Sequence, residues 1–171
     1  MKRDWTLAIG YMVLVYATLE IARVPTQFLR AHGWLRNFLA LVFSLCGAGL
    51  ISILIMRHRR SAWRYMALFS IGIVYFFAAR TAVTPEEKIH FIEYGLAGIF
   101  FLRALRHHIK KFPLLWFSAF ILASFAGWVD ELLQGFTPHR HYDFHDVLIN
   151  ATSVGLGLLV ALILRPSNSP R

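Results

Sequence analysis

The sequence predicts an all-α fold: a polytopic helical membrane bundle of about six transmembrane helices with no soluble domain. Three observations carry this. The 171 residues are 57% hydrophobic and 16% charged, with a mean hydropathy of +0.54, a balance unlike that of a soluble domain of this size. The apolar residues form continuous runs, and a helix of about 20 such residues crosses a hydrocarbon core of roughly 30 Å. The six prolines, Pro25, Pro85, Pro113, Pro138, Pro166 and Pro170, all fall at the ends of these runs, between them or in the tail. The helices are therefore expected to be continuous, because an interior proline would break one.

The expected spans are residues 5–22, 35–56, 62–79, 89–105, 114–134 and 147–164. The first follows Lys2 and Arg3 as a signal peptide would. Its run is long, however, and Thr18-Leu19-Glu20-Ile21 is a poor cleavage site, so it reads as an uncleaved span. The second contains the lone Cys46, a small apolar residue that has no intramolecular disulfide partner. The remaining spans are joined by short connections, which leaves residues 1–171 as one integral membrane domain. The tail from Arg165 to Arg171 reads as a short disordered end.

Charge sets the expected orientation. The formal net charge is +9. With a cytoplasmic N-terminus, twelve of the eighteen basic residues fall on the inner side, among them Lys2, Arg3, Arg57, Arg59, Arg60, Arg64, Arg103 and Arg106. Arg23, Arg30, Arg36, Arg80, Lys88 and Arg140 fall outside. Of the acids only Asp4 is inside, while Glu20, Glu86, Glu87, Glu93, Asp130, Glu131, Asp143 and Asp146 gather at the outer side. This is a positive-inside pattern with both termini cytoplasmic. It explains the basic excess through topology and contact with membrane lipids. No aromatic-basic reading surface accompanies it, so no nucleic-acid partner is expected.

Ionisable groups at membrane depth are costly and mark functional sites. Turning 100° per residue, Asp130, Glu131 and Gln134 share one face of the fifth span, which continues through Gly127, Ala123 and Ala119. On the sixth, Asp146, Asn150, Ser153 and Gly157 form a polar-to-small stripe, with Asp143 placed to cap the helix. On the fourth, Glu87, His90, Tyr94 and Ala97 share a face, with Glu93 at its edge. The three stripes predict one outward-facing polar pocket rimmed by the loop carrying Arg140. A structural alternative stands beside it: buried carboxylates can simply pair with Arg or His and fix helix register, as Glu20 could with Arg23. The run His139-Arg140-His141-Tyr142-Asp143-Phe144-His145-Asp146 also invites a metal reading. Histidines in a surface loop are ordinary, and neither metal nor cofactor is expected.

Two blocks resemble a known family. Asp130-Glu131-x-x-Gln134-x-Phe136-x-Pro138-x-Arg140, followed by Asp146-x-x-x-Asn150 and Gly155, is similar to the signature of VanZ-like membrane proteins. Glu87-Lys88-Ile89-His90-Phe91-Ile92-Glu93-Tyr94 resembles that family's preceding block. The resemblance covers residues 80–164. His139 departs from it, standing where the family usually carries Gly. It implies a multi-pass protein of the bacterial plasma membrane, in a family named for an accessory factor of tolerance to the glycopeptide teicoplanin.

The leading functional expectation is a polar site that binds or acts on a cell-envelope lipid headgroup or precursor. In an enzyme, Asp130, Glu131 and His90 would supply acid and base. Gln134, Arg140, Asp146, Asn150, Tyr94 and Glu93 would bind the ligand, with Arg140 gripping an anionic group through its fork. No Ser or Cys has a nucleophile's context, which disfavours covalent chemistry. The alternative is a non-catalytic accessory or scaffold subunit that uses the cluster for helix packing and docks a membrane-protein partner. A lipid or ion carrier fits less well, because its helices would be broken at mid-membrane.

Overall fold

Long apolar runs free of interior proline give helices throughout. The computed structural model describes residues 1–19, 21, 23–58, 61–81, 87–137 and 141–165. Among them are seven α-helices and no strand: α1 Lys2–Thr18, α2 Arg23–Ala31, α3 Leu35–His58, α4 Ala62–Thr81, α5 Glu87–Leu105, α6 Phe112–Gly135 and α7 Phe144–Ile163. Four are long and apolar enough to cross a membrane by length and composition: α3, α4, α6 and α7. The six-span expectation is thus met for four helices by this measure. α1, with 17 residues, falls short on length, and α5, carrying Glu87, Lys88, Glu93 and Arg103, on composition.

The first helix is shorter than the expected span of 5–22. It ends at Thr18, and a separate helix of nine residues, α2, follows. Pro25 sits in the first turn of α2, where its missing N–H costs no helical bond. The other end is closed by Gly33 at φ 70°, a left-handed conformation that glycine adopts without strain. There Gly33 N–H donates to Arg30 O (3.0 Å) and Trp34 N–H to Leu29 O (2.8 Å), the paired bonds of a Schellman stop.

The packed centre consists of α5, α7, α6 and α1, with α5 and α7 in the most extensive contact and α4 laid against α7. α3 touches only α2 and α4 substantially and leaves most of its surface open. Close approach of α5 and α7 depends on glycine. A Cβ on Gly157 would stand 2.6 Å from Gly95 Cα and would overlap the Gly95 carbonyl oxygen as well. Such small-residue crossings let helix backbones approach where the surrounding solvent supplies no hydrophobic drive.

The helix polarity separates the charges. At one end Asp4 meets His107 Nε2 (2.7 Å), Arg103 (3.2 Å) and Arg106 (3.6 Å), tying the start of α1 to the end of α5. Trp5 Nε1 donates to His108 Nε2 (3.0 Å) beside it. Arg64, counted from sequence among the inner-side cations, lies in the first turn of α4 and is buried. It donates to Ile163 O (2.7 Å) and Arg165 O (2.6 Å), the carbonyls left over where α7 ends. The opposite end gathers the start of α5, the end of α6 and the start of α7, and with them most of the acids.

Candidate functional site

α6 builds the floor of the acidic end. Its inward stripe of Ala119, Ala123, Ala126 and Gly127 continues into Asp130, Glu131 and Gln134, all buried. Asp130 and Glu131 are fully enclosed, at 0% exposure. The Gln134 amide donates to both carboxylates, at 2.9 Å to Asp130 Oδ2 and 2.8 Å to Glu131 Oε1. One neutral side chain thus orients two acids that follow one another in sequence.

α7 adds Asn150 and Ser153, both fully buried. Asp143 caps this helix, its Oδ1 accepting from His145 N–H at 2.8 Å. Asn150 Nδ2 donates to Gly127 O (3.1 Å), locking α7 to α6 one turn before Asp130. A Cβ at Gly127 would lie 2.9 Å from Asn150 Cβ and 3.2 Å from the Tyr94 ring, so the glycine is what lets all three meet. Ser153 Oγ is committed to its own helix, donating to Ile149 O at 2.6 Å.

α5 completes the site. The buried Tyr94 hydroxyl faces the Asp130 carboxylate. The His90 ring stacks parallel to Tyr94, centroids 5.8 Å apart, and His90 Nδ1 is 4.0 Å from Glu93 Oε2. His90, Asp130 and Glu131 offer ligand atoms that all lie within 4.8 Å of one another. Glu87, His145 and Asp146 form a second, half-buried group with the same spacing. Glu87 and His90 are one helical turn apart, so this group lies nearer the helix end.

The stripes inferred from sequence are therefore placed as follows. Asp130, Glu131, Gln134, Asn150, Tyr94 and His90 come together, and Glu93 flanks His90. Asp146 belongs to the neighbouring group with Glu87 and His145, its Oδ1 4.0 Å from His145 Nδ1. Arg140 lies outside the described residues, as do Pro138, His139 and Glu20. His141 is exposed and belongs to neither metal-capable group among the described residues. Of the described histidines in this run, His145 is the one that joins such a group.

Three tyrosines around the site escaped sequence reasoning. Tyr11 donates to Glu93 O (3.0 Å), Tyr16 to Ala126 O (2.7 Å) and Tyr75 to Phe91 O (3.3 Å). Each phenol from α1 or α4 bonds a helical carbonyl next to a site residue, as an amphipathic ring in an apolar bundle must. No periodicity marks them, because each acts singly. The site holds two carboxylates, an imidazole and two amides, a set able to carry a proton, to hydrogen-bond a polar group or to ligate a cation. No family model, curated protein or solved structure matches the chain.

Proposed function

We propose that this chain is a six-span membrane protein whose acidic end binds, and acts by acid–base chemistry on, the polar headgroup of a cell-envelope lipid or precursor. One observation carries the reading. Asp130, Glu131 and Asn150 are each at 0% exposure and Gln134 at 5%, at the same end of the bundle as His90. Register fixing needs one polar contact, and the Asn150–Gly127 bond already supplies it. Two further carboxylates held side by side by one amide exceed that need, at a desolvation cost of roughly 2.5–3.5 kcal/mol for each on insertion scales.

Packing supports crossing by the two helices that composition leaves out. α5 is packed by α1, α6 and α7, with Leu96 its one exposed residue, and a helix facing protein needs less hydropathy than one facing lipid. Its charges sit toward its ends, Glu87, Lys88 and Glu93 at the acidic end and Arg103 at the basic one, paired with Asp4. α1 runs from that basic end to Tyr16, which reaches Ala126 near the acidic one. We place the basic end in the cytoplasm on the charge asymmetry of the sequence. The motif resemblance to VanZ-like proteins supports an envelope substrate and a contribution to glycopeptide tolerance.

In this reading Glu131 and Asp130 exchange protons with the ligand, His90 relays them, and Gln134, Asn150 and Tyr94 fix its orientation. Arg140, between α6 and α7 in the sequence, grips an anionic group. The test is mass spectrometry of lipids that copurify with the protein. A specific polar lipid should accompany the wild type and be lost from Glu131→Gln and Arg140→Ala while both variants still melt cooperatively in detergent. Loss of the fold in both variants, with no lipid enriched in wild type, would favour the scaffold reading.

A further inference from the structure

We infer that His90, Asp130 and Glu131 hold a divalent transition-metal ion of the zinc or manganese class. The inference deepens the reading of the acidic end as a ligand-handling site and rests on it. One imidazole nitrogen and two carboxylates form a mixed donor set, and imidazole selects for zinc and its neighbours over magnesium and calcium. The three residues come from two antiparallel helices, Asp130 and Glu131 near the end of α6 and His90 in the first turn of α5. They are therefore brought together by the fold and not by sequence proximity.

The spacing is close to that of a ligand shell. Their ligand atoms lie within 4.8 Å of one another. Two ligands each about 2.0–2.2 Å from a common ion are at most about 4.4 Å apart. Three ligands round one ion average at most about 3.8 Å apart, so an approach of up to about 1 Å, made by side-chain torsions, closes the shell. The surrounding groups are those that orient metal ligands. Gln134 donates to one oxygen of each carboxylate (2.9 and 2.8 Å), and a carboxylate has lone pairs enough to serve an amide and an ion together. Glu93 Oε2 stands 4.0 Å from His90 Nδ1, an acidic neighbour beyond hydrogen-bond distance that favours positive charge at the site. The parallel stack on Tyr94 limits the rotation of the His90 ring.

Charge and an independent buried atom point the same way. A dication with two carboxylates and a neutral imidazole sums to zero charge, which suits an enclosed apolar bundle. Asn150 Oδ1, in a side chain fully buried against Gly127, has no hydrogen-bond partner among the described residues. It is a carbonyl-type acceptor in the side chain that bonds Gly127, itself one turn before Asp130 on α6, and is available to a water carried by the ion. Glu87, His145 and Asp146 repeat the ligand types one turn nearer the helix end, along the way an ion would enter.

The experiment uses the full chain in detergent with any affinity tag removed, since the chain has eight histidines of its own. The protein is stripped with chelator, reloaded separately with Zn²⁺ or Mn²⁺, and its metal content measured. Melting is followed before and after reloading, and Co²⁺ absorption reports the ligand geometry. About one ion per chain is expected, with a rise in melting temperature on reloading. His90→Ala, Asp130→Asn and Glu131→Gln should each abolish the ion, and Gln134→Leu should weaken it about 10–100-fold. Asp4→Asn, at the far end of the bundle, should bind as wild type does. Stoichiometry far below one, or binding indifferent to all three ligand variants, overturns the inference. The chelator and reloading arms on wild type decide it even where a variant fails to fold. If no ion binds but Glu131→Gln still loses its copurifying lipid, the site stands and the metal falls. If Arg140→Ala creates metal binding that wild type lacks, the guanidinium is the native counter-charge and the inference is likewise overturned.

Discussion

Asp4 shows how much a single residue can carry in a chain with so few acids. It lies one position outside the apolar run that begins at Trp5, and it gathers His107, Arg103 and Arg106 from the far end of α5. The His107 hydrogen bond, with Arg103 and Arg106 behind it, holds the Asp4 carboxyl below its ordinary value of 3.8, against the opposing effect of burial. A depressed carboxyl stabilises the fold above its unfolded pKa, and that contribution is lost as pH falls through the folded pKa. Asp4→Asn should therefore lower the melting temperature in detergent at neutral pH. The gap between variant and wild type should close as pH is taken below 3.8. A gap that persists there would mean that Asp4 acts through packing. At the other end, Asn150→Ala removes the bond to Gly127 O. Hydrogen bonds inside membrane bundles average about 0.6 kcal/mol and reach about 1.7 kcal/mol, so equilibrium unfolding in mixed micelles should show a loss in that range. Asn150→Asp should cost more, because it replaces the donor with a charge facing a carbonyl oxygen.

Glycines divide the helices into those that pack and those that face outward. Gly157→Leu places side-chain atoms against the Gly95 backbone, which no rotamer change can relieve. The α5–α7 contact must open, and a cost of about 1–3 kcal/mol or more is expected. A methyl group added at Gly10 or Gly72 would meet nothing within 4 Å. Gly72→Ala should be neutral or stabilise by roughly 0.5–1 kcal/mol, since glycine is a poor helix former. Thermal denaturation of Gly157→Leu and Gly72→Ala side by side checks the assignment of inner and outer helices. The same division explains what the sequence could reveal. α3, α4, α6 and α7 were legible because each is a long, mostly apolar run, which length and composition reveal without any knowledge of packing. The stripes on α5, α6 and α7 were legible because helical spacing alone puts Asp130 beside Gln134 and His90 beside Tyr94. α2 was hidden, because its nine residues, with Arg23, Gln27 and Arg30 among them, form no long apolar run, and its stop depends on the conformation of Gly33. The Asp4 cluster and the three tyrosine bonds were hidden as well. Each joins residues more than ten positions apart, a relation that only the packed bundle defines.

At the scale of the molecule, the charges sort by the alternating direction of the helices. α1, α4 and α6 start at the basic end, where Asp4, Arg64 and Arg103 make their contacts, and α5 and α7 end there. The acidic end receives the starts of α5 and α7. If all the helices except α2 cross the membrane, Arg3, Ser61 and Lys110 lie on one face and His32 and His141 on the other. These positions are accessible enough to report: Arg3, His32, Lys110 and His141 are exposed and Ser61 is half-buried. Single cysteines placed at each in a Cys46→Ala background should react with an impermeant thiol reagent in two groups. The first three should be protected in intact cells and labelled once the membrane is opened, and the last two should be labelled from outside. The pattern separates the alternatives by which helix fails to cross. Were α1 to lie along the surface, Arg3 and His32 would label together. Were α5 to do so, Ser61 and Lys110 would fall on opposite sides. Labelling of Lys110 from outside with His141 protected would invert the bundle. The acidic site would then face the cytoplasm, and an envelope headgroup could no longer be its ligand.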